Sequence, residues 1–152
     1  MSLSIEPAEI NSDSGRWLLT ELWAEVDHIY GNDTPSDPEL AGMDAAGAGF
    51  IIARDAGEAI GCGAIRPFTD TIAELKRMYV VPSKRGRGIA REMMHFLEQR
   101  ARENGFSAVC LETGLRQPAA IRLYESLGYR RIAGFGDYKD DPLSVCFGKA
   151  LI

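Results

Sequence analysis

The feature that most constrains this chain is the stretch Tyr79–Leu97, "YVVPSKRGRGIAREMMHFL". β-Formers run into Pro82, which cannot donate to a sheet ladder and so ends a strand. A short loop of Lys84, Arg85, Gly86, Arg87 and Gly88 follows, and then an amphipathic pattern that reads as a helix from about Gly88 to Glu103. Ile89, Met93, Phe96, Leu97 and Ala101 share one face of that helix, and Asn104-Gly105 stops it. A strand that feeds a helix through a glycine loop leaves the first helical N–H groups without intrahelical partners at the positive end of the helix dipole. Glycine admits an anion close to the main chain, so the loop is a phosphate cradle in waiting. Its tenant is either a nucleic-acid backbone or the phosphates of a small cofactor.

Charge weighs against nucleic acid. The 152-residue chain carries a net charge of −5, which disfavours non-specific binding to a polyanion. Within the basic strip Lys76, Arg77, Lys84, Arg85, Arg87 and Arg91, Tyr79 is the only aromatic, so a base-stacking platform is poorly provided for. From Trp17 to Ala53 the bias reverses, with Glu21, Glu25, Asp27, Asp33, Asp37, Glu39 and Asp44 and no Lys or Arg. One basic and one acidic patch suggest two ligands of opposite sign.

The length fits one domain, and 45% hydrophobic with 26% charged residues is an ordinary globular composition. No apolar run approaches the ~20 residues of a membrane span. The start, "MSLSIEPAEI", lacks the basic and apolar regions of a secretory signal, so the expected compartment is the cytoplasm. Cys62, Cys110 and Cys146 are scattered without metal-ligand spacing and read as buried reduced thiols. His28 and His95 share no cluster, so no metal site is expected.

Other elements follow from local signals. "LSIEP" is a short strand, and Ser12, Asp13 or Ser14 caps a helix that Gly31 stops. Residues 32–49 read as a loop with one helical turn at most. "FIIARDAGEAIGCGAIRPF" is a hairpin turning at Asp55-Ala56-Gly57-Glu58, followed by the strand "TIAELKRMYVVP". "FSAVCLE" is a largely apolar strand. "QPAAIRLYESLG" is a helix with Pro118 in its first turn and Gly128 past its end, before closing strands in "YRRIAGFG" and "LSVCFGKAL". The expectation is a single mixed α/β (α+β) domain over residues 1–152.

Spacing narrows the loop's tenant. G-x-x-x-x-G-K-[ST] is absent, and G-x-G-x-x-G would need glycine where Arg91 stands. What remains is Arg85-x-x-Gly88-x-Ala90, joined downstream by Gln117-x-x-Ala120-x-x-Leu123-Tyr124 and Gly128-Tyr129. This combination resembles the GNAT superfamily of acetyl-CoA-dependent N-acetyltransferases, over roughly Gly61 to the C-terminus. Gln117 stands where the family has Asn. The resemblance implies a mixed, mostly antiparallel sheet flanked by helices and splayed between its fourth and fifth strands. It implies that backbone groups of Met78, Tyr79 and Val80 pair with the pantetheine arm, and that a backbone N–H near Val80 holds the oxyanion. The amides of Gly86, Arg87, Gly88, Ile89, Ala90 and Arg91 would hold the pyrophosphate, with Lys84, Arg85 and Arg87 screening its charge. Gln117 would face the cofactor. A homodimer through the late strands is a further option.

Acetyl transfer requires a neutral amine and a proton for the departing thiolate. Glu74 and Glu112 occupy positions that the resemblance associates with the base, and either would serve if a partly desolvated pocket raised its pKa. Tyr124 stands at the thiol-facing position, where a protonated phenol is a proton donor. The acceptor is expected between the first helix with its loop and the segment around Phe135–Asp140. Trp23, Asp27, Tyr30, Asp33 and Tyr138 are its candidate contacts. That acidic, aromatic rim predicts a small primary amine, an amino acid derivative, or an amine on a peptide. The alternative reading is a non-catalytic module that senses acyl-CoA.

Overall fold

In a computed structural model, which describes residues 1–31 and 41–152, the sheet and its helices follow in chain order. They are β1 (Leu3–Pro7), α1 (Asp13–Tyr30), β2 (Gly49–Asp55), β3 (Glu58–Pro67), β4 (Ile72–Val80) and α2 (Ile89–Glu103). Then come β5 (Ala108–Gly114), α3 (Pro118–Ser126), β6 (Arg130–Ile132) and β7 (Ser144–Ala150). The strands form one seven-stranded sheet in the order β1-β2-β3-β4-β5-β7-β6. Every neighbouring pair is antiparallel except β4 and β5, which run parallel. The mixed, mostly antiparallel architecture expected from the resemblance is therefore present.

Local chemistry explains the element ends. The Ser12 hydroxyl accepts a 3.1 Å hydrogen bond from the Gly15 N–H, and Gly31 closes α1 at φ 60°. Ala56 and Gly57 both adopt positive φ between β2 and β3, the geometry of a two-residue turn whose twist matches its strands.

Two apolar layers sandwich the sheet. On one face Met93, Met94 and Leu97 of α2 pack with Leu75, Leu111 and Phe147. On the other, Leu18 and Leu19 of α1 pack on Phe50, Ile52, Cys62 and Tyr79. The buried face of α2 is rotated from the expected one: Met94 and Glu98 are buried while Phe96 is half-buried. Glu98, 3% exposed, is compensated by a 2.8 Å bond from the Tyr129 hydroxyl and a 3.0 Å ion pair with Lys149. The three cysteines are free and buried.

The sheet comes apart in its middle. β4 and β5 pair from Ile72↔Ala108 to Leu75↔Leu111, and no further rung joins them. β4 also bulges against β3: Ala64 opposes Lys76 and Cys62 opposes Tyr79, so one extra residue sits on β4. Arg77, at φ 60°, lies in the bulge.

Candidate active site

Where β4 and β5 part, a cavity of about 420 Å³ opens. Lys76, Arg77 and Met78 line it from β4, and Glu112, Thr113 and Gly114 from β5. Trp23 and Tyr30 close it from α1, Tyr124 from α3, and Tyr138, Asp141 and Ser144 from the segment leading into β7.

Tyr124 is 6% exposed and packs edge-on to Tyr129 at 5.9 Å. Burial first, and then the charge of Glu112, push its phenol well above the usual range, so it keeps its proton at any physiological pH. Glu112 is half-buried on the floor. Burial raises its carboxyl pKa, opposed by a 2.7 Å hydrogen bond from the Ser144 hydroxyl and by the charge of Lys76.

Glu74 is placed differently. It is 3% exposed and lies outside the cavity lining. One oxygen accepts a 3.1 Å bond from Arg66, and the other lies 3.7 Å from Lys76 Nζ. Lys76 in turn donates to the Tyr138 hydroxyl, and burial lowers its pKa against the opposing pull of Glu74. Tyr138 stacks edge-on with Phe135, its phenol pKa raised by burial and by Glu74 and Glu112.

In the loop after β4, Gly86 and Gly88 adopt φ 78° and 80°, and a Cβ built on either meets nothing within 4 Å. Conformation, not crowding, calls for glycine here. Gly88 caps α2 with no side-chain hydrogen bond, so the first helical amides are left to an outside partner. Ile89 is buried and offers only its amide, while Ala90 is half-buried.

The loop's basic side chains are mostly committed elsewhere. Arg85 Nε donates to the Val80 carbonyl at 2.8 Å, and its Nη2 pairs with Glu25 of α1 at 2.7 Å. Lys84 pairs with Asp55 at 3.1 Å, and Arg91 donates to the Ser126 hydroxyl at 2.7 Å. Arg87 is exposed. The Arg85–Glu25 pair joins the basic loop to the acidic helix α1.

Gln117 precedes α3, and its side-chain oxygen accepts from the Gly114 N–H at 3.2 Å and the Tyr30 hydroxyl at 3.4 Å. The Arg116 N–H donates to the same hydroxyl at 3.3 Å. A Cβ on Gly114 would overlap the Tyr30 hydroxyl, so this approach requires glycine.

Among the expected acceptor contacts, Trp23, Tyr30 and Tyr138 line the cavity. Asp27 does not, although one of its carboxylate oxygens is buried without a hydrogen-bond partner among the described residues. Asp33 lies outside the described residues. Sequence reasoning assigns Lys76 and Arg77 to an anion-seeking strip and passes over Ser144. Strict alternation would send Lys76 and Arg77 to opposite faces of β4, but the bulge brings both to the cavity. Among the described residues no helix is long and apolar enough to cross a membrane, and no His/Cys/Asp/Glu group is disposed to hold a metal.

A half-open parallel seam thus lies beside an uncapped helix start. Residues 14–129 match the model of the Acetyltransferase (GNAT) family. An IAA acetyltransferase of Azospirillum brasilense is 38% identical, over 90% of this chain and 84% of its own. A Klebsiella pneumoniae protein classed with the acyl-CoA N-acyltransferases superposes with TM-score 0.85 at 31% identity, over 99% and 98% of the two chains. A Salmonella typhimurium protein solved with its cofactor acetyl-CoA shares the fold at TM-score 0.69 and 16% identity, over 100% and 95%. The chain belongs to the GNAT acetyltransferase family, whose acyl donor is acetyl-CoA. The open glycine backbone and uncapped amides of the loop suit an anionic pyrophosphate.

Proposed function

We propose that the protein, acting as a single domain over residues 1–152, moves the acetyl group of acetyl-CoA to a primary amine by direct attack in a ternary complex. One observation carries this reading: Glu112 and Tyr124, a proton acceptor and a proton donor, open into the same cavity between the parted strands.

Each residue then has a task. Backbone groups of Met78, Tyr79 and Val80 extend the sheet onto the pantetheine arm, and the amides of Gly86–Arg91 take the pyrophosphate, with Arg87 adding charge. Glu112 removes a proton from the acceptor ammonium. The neutral nitrogen attacks the thioester carbonyl, the C–S bond breaks, and Tyr124 passes its proton to the leaving thiolate, while the proton that the nitrogen sheds on becoming an amide restores the phenol by way of solvent. A backbone N–H near Val80 faces the oxyanion. Glu74, held by Arg66 and Lys76, organises the floor and leaves the base role to Glu112. Gln117 acts through Tyr30 and Gly114, shaping the acceptor wall.

The test is release of free CoA thiol from acetyl-CoA over a panel of primary amines, with Glu112→Gln and Tyr124→Phe beside the parent. Amine-dependent release that falls about 10²-fold or more in both variants is expected. Binding of acetyl-CoA without turnover of any amine would reverse the reading in favour of a sensor.

A further inference from the structure

We infer that Tyr138, its hydroxyl turned by Lys76, donates a hydrogen bond to the acceptor, and that the acceptor therefore carries an oxygen within a few bonds of its amine. The inference rests on the acetyl-transfer reading and narrows its acceptor.

Matching donors to acceptors gives the first ground. Three tyrosines line the cavity, Tyr30, Tyr124 and Tyr138. The Tyr30 hydroxyl is complete, donating to Gln117 and accepting from the Arg116 N–H. Tyr124 gives its proton to the thiolate in the reading above. Tyr138 accepts a hydrogen bond from Lys76 Nζ. An ammonium has three hydrogens and no lone pair, so in that bond the phenol can only accept. Its own hydrogen is left over, and among the described residues nothing takes it. Burial first, and then the charges of Glu74 and Glu112, raise the Tyr138 pKa, so the hydroxyl keeps that hydrogen.

Rigidity gives the second. Gly134 lets the chain double back before Tyr138, since a Cβ there would come within 2.9 Å of the Lys139 Cα and 3.0 Å of the Tyr138 carbonyl. Phe135 then packs edge-on against the Tyr138 ring at 5.6 Å and against Phe68 at 5.1 Å. Lys76 holds the hydroxyl end of the ring and is itself answered by Glu74, 3.7 Å away. What Lys76 supplies to the cavity is thus orientation, from a side chain only 13% exposed. A donor fixed by stacking at one end and by a hydrogen bond at the other gives up little conformational entropy when it binds.

Position gives the third. Lys76 and Glu112 each follow directly on the last rung, Leu75↔Leu111, where neighbouring strands are still about 5 Å apart. Tyr138 sits on Lys76, and its hydroxyl feels the charge of Glu112. An amine nitrogen at Glu112 and an oxygen at Tyr138 therefore belong to one short molecule. In the free enzyme solvent answers the Tyr138 hydrogen. Once an acceptor fills the cavity, a hydrocarbon chain leaves that donor unpaired, whereas a carbonyl, carboxylate or hydroxyl oxygen satisfies it.

The experiment measures kcat/KM with acetyl-CoA for straight-chain alkylamines and for amines of matching length with a hydroxyl or an amide carbonyl on the neighbouring carbon. It compares the parent with Tyr138→Phe, Lys76→Met and Lys76→Arg. The parent should prefer the oxygen-bearing amines by about tenfold or more, the worth of one hydrogen bond to a buried donor. Tyr138→Phe should lose about tenfold more on these than on the alkylamines, chiefly through KM. Lys76→Met, which keeps the phenol but frees it to turn, should lose part of the same preference, and Lys76→Arg should recover it. An unchanged melting shift with acetyl-CoA certifies the fold of each variant. Alkylamines used as well as the oxygen-bearing amines would overturn the inference alone, as would a preference that survives Tyr138→Phe or Lys76→Met intact. No turnover of any amine despite acetyl-CoA binding would remove the transfer reading with it.

Discussion

Ser144 reaches diagonally across from β7 and donates a 2.7 Å hydrogen bond to Glu112 Oε2 on β5. That bond stabilises the carboxylate form and works against the burial that raises the Glu112 pKa. Ser144→Ala removes the opposing influence, so the pKa climbs further. Since the base must be ionised, the acid limb of the kcat/KM profile should move to higher pH in S144A. A limb that stays in place would show that Glu112 is not the titrating base.

The same carboxyl should weaken the fold where it is useful. A carboxyl whose pKa is raised by folding adds stability below its unfolded pKa of about 4.3 and loses it as pH rises through the folded value. At neutral pH the buried charge is a burden. Glu112→Gln should therefore melt above the parent at pH 7, and the gap should close as pH falls toward 4. Thermal melts across that range check the sign.

Tyr124 holds its proton more tightly than a free phenol. Activity should then show no falling alkaline limb from this group below its ordinary pKa of about 10. Tyr124→Phe should lower kcat by about 10²-fold with a smaller change in the KM for acetyl-CoA. A KM effect alone would make the residue a packing element.

Gly88 stands at φ 80° with open space around its missing side chain. Gly88→Ala should fold, at a cost of about 1–2 kcal/mol from the left-handed backbone. Its distinctive loss should be in the melting shift with acetyl-CoA, since the amides of the cradle no longer align. A full shift in G88A would mean that the phosphates sit elsewhere.

Away from the cavity, Glu98 is held by Tyr129 and Lys149. Lys149→Met strands a buried carboxylate, and a loss of about 3 kcal/mol is expected. Denaturant unfolding reads it directly, while activity per folded molecule should be unchanged.

Much of this was legible in the residues. Ser12, Gly31, Pro118 and Gly128 mark helix ends because capping is local chemistry, and the Asp55–Glu58 turn is equally local. The Arg85-x-x-Gly88-x-Ala90 loop is readable for the same reason. What escaped depends on partners far along the chain. Arg85 lies against α1 because Glu25, from another element, meets it there. Glu98 sits in the core because Tyr129 and Lys149 neutralise it there. Arg77 reaches the cavity because β3 and β4 differ by one residue between their rungs, and a single strand carries no record of its neighbour's register.

The seam between β4 and β5 has a consequence beyond catalysis. Past Leu75 and Leu111, two strand margins face each other inside the molecule with no ladder between them, the kind of exposed template that recruits stray chains. A bound donor that completes the ladder would act as a missing strand, and ligand held only by the folded form shifts the folding balance by mass action. Acetyl-CoA would then steady the fold as well as supply the acyl group, guarding the open margin for as long as it stays bound.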